Sequence, residues 1–160
     1  MSAPDPRLAD FERLVGEWET EATHPATGDL VIRGIASFEW LEGGWFLVHR
    51  ASNEHPDFPD SLWVIGRSSD SDAHGDDDQR EDQDVAVQYF DSRGVRRVYR
   101  GGMRDGTWRM ERLEPGFDQR IVARLDDGDD TLHGETQLRT EGDTWVDDLA
   151  FTYRRVSART

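Results

Sequence analysis

The chain lacks cysteine and lysine and has no long hydrophobic run, and these absences narrow its possible functions. Without cysteine, a disulfide framework, a thiolate metal site and a cysteine nucleophile are all excluded. No apolar stretch approaches the roughly 20 residues that a membrane-spanning helix needs. Residues 1–6 lack the basic and apolar regions of a signal peptide. We therefore expect a cytoplasmic protein.

The charge balance is strongly acidic. Every one of the 19 basic residues is arginine, and the 34 Asp and Glu residues leave a formal net charge of -15. A chain of this charge repels the phosphates of nucleic acids and of anionic lipid surfaces. We therefore expect neither nucleic acid nor a membrane as a partner.

The spacing of apolar residues predicts one all-β domain. Leu8, Phe11 and Leu14 recur at helical spacing and predict a short N-terminal helix. Alternation and turn residues then predict ten strands, at 17–24, 29–41, 44–53, 61–68, 84–91, 95–103, 107–113, 117–125, 131–139 and 143–155. Ten antiparallel strands in simple order predict a single up-and-down barrel with room for a ligand.

The predicted barrel covers residues 1–160 as a single domain. Within it, 1–7 is expected to be a flexible N-terminus and 69–83 an acidic mobile loop. The loop also matches most of a calcium-loop pattern, and its candidate metal ligands are Asp70, Asp72, His74 and Glu81. Because flanking helices are not predicted and acidic loops produce such matches by chance, we expect a solvated insertion with at most weak cation binding.

Three turn motifs predict which residues face each other across hairpins. The predicted pairs are Met103 with Trp108 around Asp105-Gly106, Tyr89 with Arg97 around Ser92 to Gly94, and Thr136 with Asp147 around Glu141-Gly142. Since directly paired residues share a face of the sheet, these pairs predict which side chains point into the barrel.

The predicted inner face combines aromatic and charged side chains. Arginine and tyrosine inside a barrel suit an anionic group, because a guanidinium grips a carboxylate with two hydrogen bonds. We predict that the cavity binds a small hydrophobic or amphipathic, anionic ligand. The predicted ligand-binding residues are Trp40, Arg50, Trp63, Tyr89, Arg97, Tyr99, Met110, Arg112 and Phe151. The alternative is that the arginines pair with Asp147 and water, or point outward.

A cofactor-free acid–base enzyme, of the isomerase or cyclase type, is the alternative function for the same pocket. Its candidate catalytic residues are Asp147, Tyr99 and His49. His49 is expected on the outer face, from which only a bulge in its strand would turn it inward. His24 and His55 are expected in loops at the rim of the barrel. No Gly-x-Ser-x-Gly or His-Glu-x-x-His motif occurs.

Several motifs resemble those of calycin-type barrels. Gly16-Glu17-Trp18 is similar to the Gly-x-Trp opening shared by lipocalins, fatty-acid-binding proteins and nitrobindin. Residues 38–48, Tyr89 to Val95, Trp108 and Thr152 to Arg155 resemble a small uncharacterised bacterial family of that superfamily. The resemblance implies a closed barrel. Fatty-acid-binding barrels also place arginine and tyrosine inside, which agrees with the pocket predicted above.

Two further functions, haem binding and protein–protein interaction, are alternatives to the predicted ligand binding. Nitrobindin-like relatives bind haem through a histidine in a late strand, behind a glycine-rich opening. This chain has Glu19-Thr20-Glu21 at that opening, no histidine in its last strand, and His133 predicted outward. We therefore expect no cofactor. The other alternative is an interaction protein without a ligand, such as a homodimer formed through Trp45 and Phe90.

Overall fold

The computed structural model describes residues 4–68 and 84–157, which form a closed antiparallel barrel. Its strands are β1 (Gly16–Thr23), β2 (Ile32–Trp40), β3 (Phe46–Asn53), β4 (Ser61–Arg67), β5 (Val85–Asp91), β6 (Arg96–Arg104), β7 (Thr107–Arg112), β8 (Asp118–Leu125), β9 (Thr131–Arg139) and β10 (Val146–Ser157). Each strand pairs with its neighbours in sequence, and β1 pairs with β10 to close the barrel. The predicted ten-stranded, all-β barrel is confirmed.

A 3-10 helix (Pro6–Leu14) closes one end of the barrel. Its buried side chains recur every three residues, which places them on one face of a helix with three residues per turn: Leu8, Phe11 and Leu14. The Asp5 carboxylate accepts a hydrogen bond from the Arg7 backbone N–H at 2.9 Å and caps the helix. The Phe11 ring meets the Trp108 ring edge-on at 5.5 Å. The helix thereby covers the apolar core at this end.

Two of the three predicted hairpin registers are confirmed. Met103 pairs with Trp108 across β6 and β7, and Tyr89 pairs with Arg97 across β5 and β6. Asp105 and Gly106 have φ angles of 52° and 77°, so both turn residues adopt the left-handed conformation that a tight two-residue hairpin requires. The turn residues therefore set the inward faces of three consecutive strands.

The register predicted for β10 is wrong. Asp147 lies opposite Gln137, and an irregularity in the pairing between Asp147 and Ala150 shifts the strand relative to β9. Asp147 is consequently exposed on the outer face, where it accepts a hydrogen bond from Gln137. Its neighbour Asp148 takes the inward position. A bulge of this kind changes the direction in which the following side chains point.

The inward face predicted for β3 is also wrong. His49 lies opposite Phe38, whose ring is buried, so the imidazole shares the inner face with that ring. Arg50 follows His49 and is exposed on the outside. A neutral imidazole costs less free energy to bury than a guanidinium, which favours this register.

Within residues 4–68 and 84–157, no helix is long and apolar enough to cross a membrane. The same two ranges contain no cluster of three or more His, Cys, Asp or Glu side chains that could hold a metal ion. The acidic segment 69–83, with its calcium-loop pattern, lies outside the described residues.

Candidate functional site

The barrel encloses a cavity of about 420 Å³ at the end opposite the helix. Three loops between strands line its mouth, through Asp57 and Phe58 after β3, Arg93 after β5 and Phe117 after β7. The volume lies within the range of about 300–1,000 Å³ that is typical of small-molecule sites. The cavity is therefore large enough to take a small molecule through this mouth.

Aromatic rings form most of one cavity wall. The ring of Trp63 stacks on that of Tyr99 with centroids 5.8 Å apart and planes 11° apart, and meets Tyr89 edge-on at 5.1 Å. On the other side, Phe151 contacts Tyr153 at 5.5 Å. Such rings bury a large apolar area with few rotatable bonds, so the wall is apolar and preorganised.

Arg97 stands at the mouth above this wall. Its guanidinium carbon lies 5.4 Å from the centre of the Phe117 ring and 6.0 Å from that of Tyr89. Among the described residues, no carboxylate lies within 4.0 Å of it. Arg97 therefore brings a positive charge to the cavity that no neighbouring carboxylate neutralises.

The neighbouring Arg93 differs, because Asp91 neutralises it. The Asp91 carboxylate accepts hydrogen bonds from the Arg93 side chain at 2.7 Å and from the Tyr89 hydroxyl at 2.7 Å. The Arg93 guanidinium holds the pKa of Asp91 well below its usual range. Burial, together with the bond to Asp91, raises the pKa of Tyr89 above its usual value. Tyr89 is thus a neutral phenol whose ring is fixed in place.

His49 contributes a polar group to the aromatic interior. The residue is 3% exposed, and its Nε2 lies 3.1 Å from the Tyr153 hydroxyl oxygen. Its Nδ1 is buried and has no hydrogen-bond partner in the described structure. Burial lowers the pKa of His49 to about 3 and raises that of Tyr153, so both groups are neutral. This pair retains unused hydrogen-bonding capacity.

A second polar pair lies at the rim. His24 Nδ1 accepts a hydrogen bond from the Ala26 backbone N–H, so its Nε2 carries the proton and donates to Asp148 at 3.0 Å. The other Asp148 oxygen accepts a hydrogen bond from the Thr136 hydroxyl at 2.9 Å. Both oxygens of this inward carboxylate are therefore occupied.

Comparison with solved structures finds the same barrel in proteins of very different sequence. The chain is similar to Rv2717c from M. tuberculosis, with a TM-score of 0.66 and 16% identity over 96% of this chain and 99% of that one. The shared architecture is a ten-stranded antiparallel barrel. It is also similar to the S-type phycobiliprotein lyase CpeS from Guillardia theta, with a TM-score of 0.56 and 12% identity over 92% of this chain and 91% of that one.

These likenesses concern the fold alone. No protein-family model matches the sequence. No curated protein matches it either. The comparisons therefore show a shared barrel fold, and neither the expected superfamily nor the small bacterial family is identified.

Most of the predicted ligand-binding residues do line the cavity of the barrel. They are Trp63, Tyr89, Arg97, Tyr99, Met110 and Phe151. Of the three candidate catalytic residues, Tyr99 and His49 line it as well, whereas Asp147 lies outside. The binding and catalytic roles of all of these residues stay predictions.

Three predicted binding residues lie elsewhere. Arg50 projects from the outer face, and Trp40 lies at the helix end, where its indole N–H donates to Glu12. Arg112 is on the inner side at the end of β7. Its guanidinium donates to the Phe117 carbonyl at 3.3 Å, so it supports the rim instead of lining the cavity.

The cavity also contains functional groups that the sequence analysis missed. Asp148 could not be foreseen, because the pairing irregularity that turns it inward follows no recognised turn motif. Tyr153 could have been foreseen inside the barrel, because it lies two residues after Phe151 and therefore on the same face of β10. Within the described residues, its hydroxyl is the hydrogen-bond partner of the buried His49 side chain, whose Nδ1 has none.

A second concavity, of about 820 Å³, lies on the outer surface of the barrel. Its apolar lining includes Ile35, Leu62, Phe90 and Val156. Trp45 lies outside this concavity and is 63% exposed. A homodimer through Trp45 and Phe90 stays a prediction.

Proposed function

We propose that this barrel binds a small amphipathic anion, with its apolar part in the aromatic cavity and its anionic group at the mouth. The observation that carries the proposal is Arg97. This arginine faces the cavity, and no carboxylate of the described residues lies within 4.0 Å of it. Partly buried charges are normally paired, so an arginine in this position is suited to an incoming anion.

The surroundings of Arg97 support the same ligand chemistry. Its guanidinium lies near the rings of Phe117 and Tyr89, which restrict its orientation and leave its N–H groups to reach a ligand. The rings below it, from Trp63, Tyr99 and others, offer an apolar surface. Burying a ligand's apolar part there is favourable by about 25 cal/mol for each Å² removed from water.

We favour binding over acid–base catalysis in this cavity. The expected base, Asp147, lies on the outer face. The carboxylate that does line the cavity, Asp148, accepts hydrogen bonds from His24 and Thr136 at its two oxygens. A base held in this way is less available to remove a proton from a ligand.

The first experiment is native mass spectrometry of freshly purified protein with an absorbance scan of the same sample. We expect either a bound small anion or a bare protein that takes up added anionic ligand. A Soret band, in contrast, would favour the haem alternative. His133 is exposed on the outer face, so His49 would then be the histidine to test as the iron ligand.

The second experiment uses the fluorescent probe 1-anilinonaphthalene-8-sulfonate, with dodecanoate as competitor. We expect the probe to bind in the cavity and dodecanoate to displace it. Arg97→Gln should weaken probe binding by roughly 10- to 100-fold, since a charge-assisted hydrogen bond contributes about 1.5–3 kcal/mol. The matched control is Arg96→Gln, which removes the same charge from the neighbouring exposed position. Equal effects of the two substitutions, or no probe binding, would contradict the proposal.

A further inference from the structure

Four side chains form one row across the cavity wall. His49 on β3 pairs with Trp63 on β4, Trp63 pairs with Tyr89 on β5, and Tyr89 pairs with Arg97 on β6. All four line the cavity. Since adjacent strands lie about 4.8 Å apart, the row spans roughly 14 Å along the curved wall.

The chemistry of this row changes from one end to the other. Arg97 at the mouth end carries a positive charge, and the two middle residues, Trp63 and Tyr89, present aromatic rings. His49 at the far end presents a buried imidazole whose Nδ1 has no partner in the described structure. A ligand lying along the row therefore meets a cation, an apolar aromatic stretch and a neutral hydrogen-bonding group.

The pair of His49 and Tyr153 can serve a ligand as donor or as acceptor. If the Tyr153 hydroxyl donates to Nε2, the proton of the neutral imidazole is on Nδ1, which is then a free donor. If Nε2 donates to Tyr153, Nδ1 is a free acceptor and the tyrosine proton is unused. In both tautomers a buried polar atom lacks a partner. Nδ1 has almost no accessible surface, so the imidazole must turn slightly for this atom to hydrogen-bond to a ligand.

We infer that the ligand is a rigid aromatic anion with a second polar group at its far end, which hydrogen-bonds to His49. This inference rests on the proposed function, because it assigns the anionic end to Arg97. Edge-on contacts of 5.6 Å between His49 and Trp63 and of 5.1 Å between Trp63 and Tyr89 line the path with ring faces and edges. Those surfaces favour aromatic ligands over flexible chains. The unpartnered Nδ1 favours ligands with a distal hydroxyl over those without one.

The test compares 6-hydroxy-2-naphthoate with 2-naphthoate, which differ only in the distal hydroxyl. Affinities are measured by quenching of the tryptophan fluorescence in wild-type protein and in His49→Phe. We expect the wild type to prefer the hydroxylated probe by about 10-fold, as for a ligand group that satisfies a buried partner. In His49→Phe the preference for the hydroxylated probe should fall to about 1.

A second measurement needs no substitution, in case His49→Phe does not fold. In protein labelled with ¹⁵N-histidine, the Nδ1 resonance of His49 should move when 6-hydroxy-2-naphthoate is added. It should move much less with 2-naphthoate. Together with the hydroxyl preference, this shift would support the inference.

The other outcomes separate the two proposals. Equal binding of both naphthoates with an unchanged Nδ1 resonance overturns the inference and leaves the proposed function in place. Binding of dodecanoate without either naphthoate rejects the rigid aromatic class of ligand and also leaves the proposed function in place. If no anionic probe binds, the proposed function is wrong and the inference is wrong with it.

Discussion

The guanidinium of Arg155 lies over the indole ring of Trp18, with its carbon 4.2 Å from the ring centre. This contact joins the last strand to the first at the end that the helix covers. The same guanidinium donates to the backbone carbonyls of Arg13 and Val15 at 2.6 Å and of Asp129 at 2.9 Å. One side chain thus ties the helix, the closing strand pair and the β8–β9 turn together.

Arg155→Ala should destabilise the barrel strongly. It removes three charge-assisted hydrogen bonds and the contact with Trp18, so we expect a loss of about 2–4 kcal/mol in the free energy of unfolding. Urea denaturation at neutral pH measures the loss. The matched control is Arg154→Ala, because Arg154 is exposed and forms a surface salt bridge with Glu21 at 3.3 Å. The control should cost about 0–1 kcal/mol, and equal losses would contradict the assigned role of Arg155.

Gly101→Ala should destabilise the barrel more than Gly134→Ala does. A Cβ at Gly101 would lie 1.8 Å from the Arg109 backbone carbonyl oxygen, whereas one at Gly134 would lie 2.0 Å from the Phe151 ring. Backbone in a barrel cannot move aside easily, but a ring beside a cavity can. We expect Gly134→Ala to cost about 1–3 kcal/mol and Gly101→Ala to cost more.

Thermal unfolding of both glycine variants checks this order. Gly134→Ala should also weaken binding of 1-anilinonaphthalene-8-sulfonate, because Phe151 lines the cavity and would be pushed into it. The reverse order of stability would show that the β6–β7 pairing adapts more readily than the ring does.

His49 should make stability depend on pH. Its pKa is about 3 in the folded chain and 6.5 as an unperturbed side chain, so the unfolded state binds a proton that the folded state does not. The contribution of the neutral His49 to the free energy of unfolding is fully present above pH 6.5 and is lost as the pH falls towards 3. Between pH 7 and pH 5 we expect a loss of about 2 kcal/mol from this group.

The pH prediction is measured as a difference between wild type and His49→Phe. Urea denaturation at pH 7, 6 and 5 gives the free energy of unfolding of each protein. The wild-type value should fall relative to that of the variant, since phenylalanine does not titrate. Parallel pH profiles would show that His49 is protonated inside the barrel or is not buried.

Asp91→Ala should disrupt the β5–β6 hairpin at the cavity mouth. The Asp91 carboxylate accepts hydrogen bonds from the Tyr89 hydroxyl, the Arg93 side chain and the backbone N–H groups of Arg93 and Val95. Losing them should cost about 2–4 kcal/mol. Asp147→Ala is the matched control on the exposed outer face and should cost less than about 1 kcal/mol. Similar losses in urea denaturation would contradict the structural role of Asp91.

The sequence predicted the architecture well because the relevant signals are local. Asp105-Gly106 and the Ser92 to Gly94 loop each specify a hairpin from a few adjacent residues, and both registers are confirmed. In β2, the buried residues Ile32, Ala36 and Phe38 follow the same two-residue alternation that predicted the strand. These patterns depend on backbone conformation and on the two-residue period of a strand.

The errors occurred where register depends on a longer connection. The turn between β2 and β3 spans 41–45, and the two strands pair so that His49, not Arg50, faces inward with Phe38. In β10, the irregularity after Asp147 changes the register within one strand. A shift of one residue exchanges the two faces of a strand, so each local error inverted a prediction about the site.

The sequence by itself determined the ten-stranded barrel, the helix at one end and several side chains of the cavity, among them Trp63, Tyr89 and Arg97. Those follow from strand periodicity and turn chemistry, which act between near neighbours in the chain. Only the tertiary structure decided that His49 joins Tyr153 inside and that Asp148 replaces Asp147 at the rim. The reason is physical: both depend on pairing between strands, where the burial of a whole face outweighs the preference of any single residue.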